Sequence, residues 1–226
     1  MLFIISFHFN LATTTSTITS PTPTRRRITT TTVATTTERT TGYDVVLVLD
    51  SSVDRSTFDF MKRYAKDLVD KLSIDNNEYR VGVMRYSTYP AVQFNLDRYN
   101  QKKFIKNRID NIQYRSGKTN TDRALDAVRQ RMFTPRNGDR DYARNLIVHI
   151  TGNDESSDIY DTWAAAERAE RDDINIYTVG INLGDLTEIN ELSTHPLSTY
   201  RTLINTTMGR PQIDGSLLGL VRTSRV

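Results

Sequence analysis

The chain has 226 residues, no cysteine and a net charge of +3. This is enough for one domain of ordinary size plus a tail, and it excludes a disulfide framework. Residues 1–42 carry Arg25, Arg26, Arg27 and Arg39 against Glu38, which accounts for the whole +3; the rest of the chain sums to zero and lacks the basic surplus of a nucleic-acid-binding domain.

Residues 1–12, MLFIISFHFNLA, are apolar without a charged start. The run is too short to span a bilayer and is expected to be a secretory signal cut near Ala12. Residues 13–42 form a Thr-rich linker, with 16 Thr in the 29 positions from 13 to 41. It has too little apolar surface to offset chain entropy and is expected to be disordered. Thr with Ser and Pro is also the composition of O-glycosylated stalks. No later stretch is long and apolar enough for a membrane span.

From residue 43 strands and helices alternate. Val45–Leu49 are five consecutive apolar residues and read as a strand buried on both faces. The run stops at Asp50-Ser51-Ser52-Val53-Asp54. Phe58, Met61, Ala65, Leu68, Val69 and Leu72 follow at helical spacing. Arg80–Tyr86 reads as a strand, and Ala91–Leu96 alternates like a half-exposed edge strand. Phe104, Ile105, Ile109 and Ile112 mark a second helix, and Ala124, Leu125, Val128 and Met132 a third. Leu146–Ile150 is another buried strand, Trp163, Ala166 and Ala169 sit in a fourth helix, and Ile174–Gly180 is again a strand. Leu186, Ile189 and Leu192 predict a short fifth helix, Tyr200–Ile204 a weak last strand, and Leu217, Leu218 and Val221 a closing helix. The alternation implies an α/β fold: a doubly wound, mainly parallel sheet with helices on both faces and one short antiparallel edge strand.

In such a sheet ligands bind at the carboxyl edge. Three loops should meet there: Asp50 to Asp54, Ser116-Gly117-Lys118-Thr119-Asn120-Thr121, and Thr151-Gly152-Asn153-Asp154. Short oxygen-bearing side chains of this kind suit a hard divalent cation.

The segments DVVLVLDSS, YRVGVMRYS, GKTNTDRALDAV, RNLIVHITG and INIYTVGI, in that order across about residues 43–223, resemble the von Willebrand factor type A domain, called the I domain in integrins. The resemblance implies a Rossmann-like fold and a metal-ion-dependent adhesion site for Mg²⁺ or Mn²⁺. That site is built from D-x-S-x-S, a Thr and a final Asp, with an acidic group of the partner completing the coordination. Asp50, Ser52 and Thr119 match. Asp54 stands in place of the second Ser and Gly152 in place of the final Asp, with Asp154 two residues beyond. Asp54 keeps the carboxylate count while Gly152 offers no side-chain ligand, so weak cation binding at best is expected. The other reading of Asp50 and Ser52 is that they cap the following helix.

Gly117-Lys118-Thr119 ends like a phosphate-binding loop, but Ile112 stands where the first Gly is needed. His8, His149 and His195 are too scattered for a zinc cluster, and no nucleophile elbow or Cys nucleophile is present, which points away from an enzyme. Asn205-Thr206-Thr207 fits the N-glycosylation pattern. The resemblance implies a secreted, non-enzymatic module that binds a protein ligand of the extracellular matrix or cell surface. An intracellular scaffold in a multiprotein assembly is the alternative. Oligomeric state is left open.

Overall fold

Apolar residues on both faces of the first strand decide the architecture. The computed structural model describes residues 42–208 together with Leu217 and Gly219. The expected signal segment and Thr-rich linker, and Leu218 and Val221 of the closing helix, lie outside the described residues. Strand β1 (Tyr43–Asp50) is buried along its whole length. Because side chains alternate across a strand, Val45, Leu47 and Leu49 enter one core while Val46 and Val48 enter another.

The first core lies under α1 (Arg55–Lys71), which contributes Phe58, Met61, Ala65 and Leu68, and under α2 (Lys102–Asp110), which contributes Ile105 and Ile109. Leu217 is helical and buried in the same core. The second core lies under α3 (Thr121–Ala127) and α4 (Ile159–Arg171). The third predicted helix does not stay α-helical to Met132: it widens into a π-helical turn over Val128–Met132, with Val128 and Met132 still buried. On α4 the buried face is Thr162, Ala165, Ala166 and Ala169. Trp163 is half-buried and packs edge-on against Tyr160.

The remaining strands are β2 (Tyr79–Tyr86), β3 (Ala91–Phe94), β4 (Arg144–Thr151), β5 (Ile174–Ile181) and β6 (Arg201–Ile204), with α5 (Thr187–Leu192) and α6 (Leu197–Tyr200) before the last. The sheet order is β3-β2-β1-β4-β5-β6, all parallel except β3, which runs antiparallel to β2. Strand β3 ends two residues earlier than its alternation predicts, because Leu96 N–H donates to the Asn137 carbonyl instead of a strand neighbour. After β1 the chain moves to one side of the sheet and after β4 to the other. The loops leaving these two neighbours therefore diverge and open a crevice at their carboxyl ends.

Candidate functional site

Asp50, the last residue of β1, is fully buried at that crevice. Its Oδ1 accepts from the Ser52 N–H at 2.9 Å and from the Ser52 hydroxyl, so the loop turns back over its own aspartate. Its Oδ2 accepts from Thr151 Oγ1, on the last residue of β4, at 2.8 Å and from Asn153 Nδ2, just beyond it, at 2.9 Å. Burial is the largest influence on this carboxyl and pushes it above the ordinary carboxylate range, against the hydrogen bonds from Ser52, Thr151 and Asn153.

Thr119 arrives from the loop that opens α3, and its Oγ1 lies 2.9 Å from Ser52 Oγ. The Ser52 proton goes to Asp50, so the Thr119 hydroxyl donates to Ser52. The Thr119 carbonyl accepts from Ser157 N–H at 2.7 Å, tying the second loop to the third. Beneath the loops, buried Ser51 spans the Tyr86 and Arg115 carbonyls at 2.8 and 2.7 Å.

Asn153 was not singled out by its sequence, yet it sits at the centre. Its amide nitrogen is 2.9 Å from Asp50 Oδ2, 2.9 Å from Ser52 Oγ and 3.2 Å from Thr119 Oγ1. A carboxylate only accepts hydrogen bonds, so the nitrogen and not the oxygen of the amide must face Asp50. Two N–H bonds serve three oxygens, so at least one hydrogen is shared.

Asp54 is exposed and turned the other way. It is the N-cap of α1: Oδ1 accepts from the Ser56 and Thr57 N–H groups at 2.8 and 3.1 Å, and Oδ2 from Thr57 Oγ1 at 2.6 Å. Hydrogen bonds from Ser56 and then Thr57 hold its carboxyl well below the ordinary range. The cap of this helix is thus Asp54, whereas Asp50 and Ser52 bond across the crevice. At Gly152 the chain passes so close to α1 that a Cβ would stand 2.9 Å from Thr57 Cγ2 and 3.3 Å from Val53 Cγ1. Asp154 accepts from Gly184 N–H at 2.7 Å and so braces the loop after β5.

As placed, these groups do not fit a divalent cation. Such an ion needs oxygens at about 2.1 Å, usually with more than one carboxylate or several waters. Here an amide nitrogen lies where the oxygens converge, and the carboxylates of Asp54 and Asp154 are engaged elsewhere. Among the described residues, no group of three or more His, Cys, Asp or Glu comes together as a metal cluster.

His149 is a core residue of β4: its Nε2 pairs with Tyr86 Oη at 2.8 Å, and Tyr86 Oη also meets Thr121 Oγ1 at 3.1 Å. Asn205 is exposed beyond β6. Along the rim, the Arg85 guanidinium is half-buried and lowered from its ordinary value by burial and then by the charge of Arg115. Among the described residues, Arg85, Arg115 and Lys118 take no part in the ion pairs.

The von Willebrand factor type A domain family matches residues 44–210. The chain is 33% identical over 159 residues to von Willebrand factor A domain-containing protein 2 of Xenopus laevis, covering 70% of this chain and 20% of that protein. It is 28% identical over 159 residues to the collagen alpha-1(XII) chain of Notophthalmus viridescens, covering 70% of this chain and 17% of that one. The chain therefore spans about a fifth or less of the length of these two relatives. Among solved structures, proximal thread matrix protein 1 from the mussel byssus, with a zinc-occupied MIDAS motif, matches with a TM-score of 0.66 at 21% identity over 80% of this chain and 47% of that chain, which is a likeness of fold.

Proposed function

The chain belongs to the von Willebrand factor type A family, a family of non-catalytic binding modules, and on that premise we propose that it is a secreted module that binds a protein of the extracellular matrix or cell surface. The observation that carries the reading is the meeting of the Asp50, Thr119 and Thr151 loops at the crevice between β1 and β4, where this topology places ligands. Relatives named as a collagen chain and as matrilin-4 support the matrix side of it. Among the described residues, no helix is long and apolar enough to cross a membrane.

The partner surface fits an acidic segment. Arg85, Arg115 and Lys118 border the loops with their charge unspent on ion pairs among the described residues, and guanidinium groups bind carboxylates in paired hydrogen bonds. Recognition by these cations draws little on Mg²⁺. The test is binding of the full chain to an array of purified matrix proteins in magnesium and in chelator. Saturable binding of equal affinity in both buffers, weakened at least tenfold by Arg85→Glu with Arg115→Glu, supports the reading. Absence of any matrix ligand, or abolition by chelator, overturns it. Recovery of the source-derived protein in the medium, with a mobility shift on deglycosylation, places it outside the cell and tests Asn205. Retention in the cell fraction turns the reading to the intracellular scaffold.

A further inference from the structure

We propose that the Asn153 side chain is a built-in substitute for the divalent cation: its amide nitrogen fills the point where Asp50, Ser52 and Thr119 converge and locks the three loops together without metal. The distances carry this. One nitrogen lies within 2.9–3.2 Å of an oxygen on each of the three residues that match the family's metal pattern. A cation bonded to the same oxygens at about 2.1 Å from the side that Asn153 occupies would fall well inside the contact distance of that nitrogen. An amide –NH₂ has no lone pair free to coordinate, since it is conjugated with the carbonyl, so it competes with the ion and cannot become its ligand.

The exchange is chemically even-handed. The amide presents partial positive charge to one carboxylate and two hydroxyl oxygens, as a cation does, but fixes them with directional hydrogen bonds. It also adds a fourth hydrogen bond to a buried carboxylate already held by the Ser52 N–H and the Ser52 and Thr151 hydroxyls. The remaining departures from the family pattern fall into place around it. Gly152 removes the second carboxylate, and Thr57 Cγ2 closes the space its side chain would need. Asp54 does not compensate, because both its oxygens serve the N-terminus of α1. The loops are thus held in one arrangement at any cation concentration.

This inference deepens the cation-independent reading of the edge but is read out on the metal and the fold, so it stands or falls apart from any partner. The experiment uses the full chain, calorimetric titration with Mn²⁺ and Mg²⁺, and thermal melts in chelator and in millimolar Mn²⁺. The native chain is expected to give no binding heat and the same Tm in both buffers. Asn153→Asp keeps the size of the side chain and replaces the donor with a carboxylate facing Asp50. It is expected to melt several degrees lower in chelator, from like-charge repulsion, and to regain those degrees in Mn²⁺, as a ligand bound only by the folded state requires. Asn153→Ala is expected to melt lower in both buffers. A native chain that binds Mn²⁺ or gains Tm from it overturns the proposal. So does an Asn153→Ala chain that melts at the native temperature, or an Asn153→Asp chain indifferent to both chelator and Mn²⁺. If Asn153→Asp does not fold, the native titration and Asn153→Ala decide.

Discussion

Thr57 joins two departures from the family pattern that lie 98 positions apart in the chain. Its hydroxyl is bonded to Asp54, and its methyl stands where a side chain on residue 152 would begin. Gly152→Asp is therefore expected to destabilise the domain by about 1–3 kcal/mol through overpacking. Thr57→Ser keeps the hydroxyl and removes the methyl, so it should recover part of that loss; denaturant melts of the two variants check both. His149 gives a second residue-scale prediction. Burial lowers its pKa from 6.5 to about 4, so the folded chain refuses a proton that the unfolded chain accepts. Stability is full above pH 6.5, falls as pH drops through 6.5 toward 4, and stops falling below that. The loss is at most on the order of 3 kcal/mol. Buried Asp50 and Glu188, pushed up from their ordinary values, act in the opposite sense, and Tyr86, the partner of His149, stays neutral throughout. The measurement is thus the difference between native and His149→Gln unfolding free energies from neutral to mildly acidic pH. The variant should show the smaller acid loss, and an equal loss would remove His149 from the account.

At the scale of elements, the two ends of the sheet are held by different chemistry. The carboxyl edge is tied by the neutral and singly charged bonds around Asp50. The amino edge is tied by Arg140, in the loop before β4, which reaches Asp44 of β1 through Nε at 2.8 Å and through its backbone N–H at 2.7 Å. The same guanidinium donates to the carbonyls of Asn77 at 2.7 Å and Tyr43 at 2.9 Å, so one side chain joins the loop before β4 to β1 and to the turn into β2. Both partners are buried. Arg140→Ala leaves Asp44 without its counter-charge inside the fold and is expected to cost about 3–5 kcal/mol. Lys106→Ala, which breaks the more exposed pair with Asp70 between α1 and α2, is expected to cost less than about 1 kcal/mol. Chemical denaturation of the two variants side by side tests the ranking. The α3–α4 contact has a similar device in the Arg168 fork on Asp126, at 3.1 and 2.8 Å.

For the molecule as a whole, the described fold closes on itself from β1 onward, with both faces of the sheet covered by helices from residues 55–171 and by Leu217. Residues 1–41 are polar and Thr-rich after position 12 and carry no apolar periodicity. Deleting them is expected to leave Tm unchanged within error. A fall of several degrees would mean that the segment docks on the domain. The sheet order also positions the ligand crevice, since the neighbours β1 and β4 send their chains to opposite faces of the sheet.

Much of this was legible in the residues themselves. Strands and helices announce themselves by local periodicity, and the Val45–Leu49 run can only be satisfied by apolar partners on both faces. The alternation of elements then implies the parallel sheet and its carboxyl edge, where the three loops were expected to meet, and the family resemblance picked out Asp50, Ser52 and Thr119 within them. The direction in which each side chain points was not visible, because it depends on partners far away in the chain. Asp54 lies two residues from Ser52 yet bonds to the helix start, where backbone N–H groups need an acceptor. Arg140 looks like any surface arginine until the turn before β4 carries it over Asp44, 96 residues earlier. Asn153 reads as a loop polar residue, and only the junction of β1, β4 and the start of α3 brings its amide within reach of three oxygens. Local pattern determined the elements and the edge; the crossing of three loops decided what occupies the centre, since hydrogen bonds of about 3 Å are set by tertiary contact and leave no periodic trace in sequence.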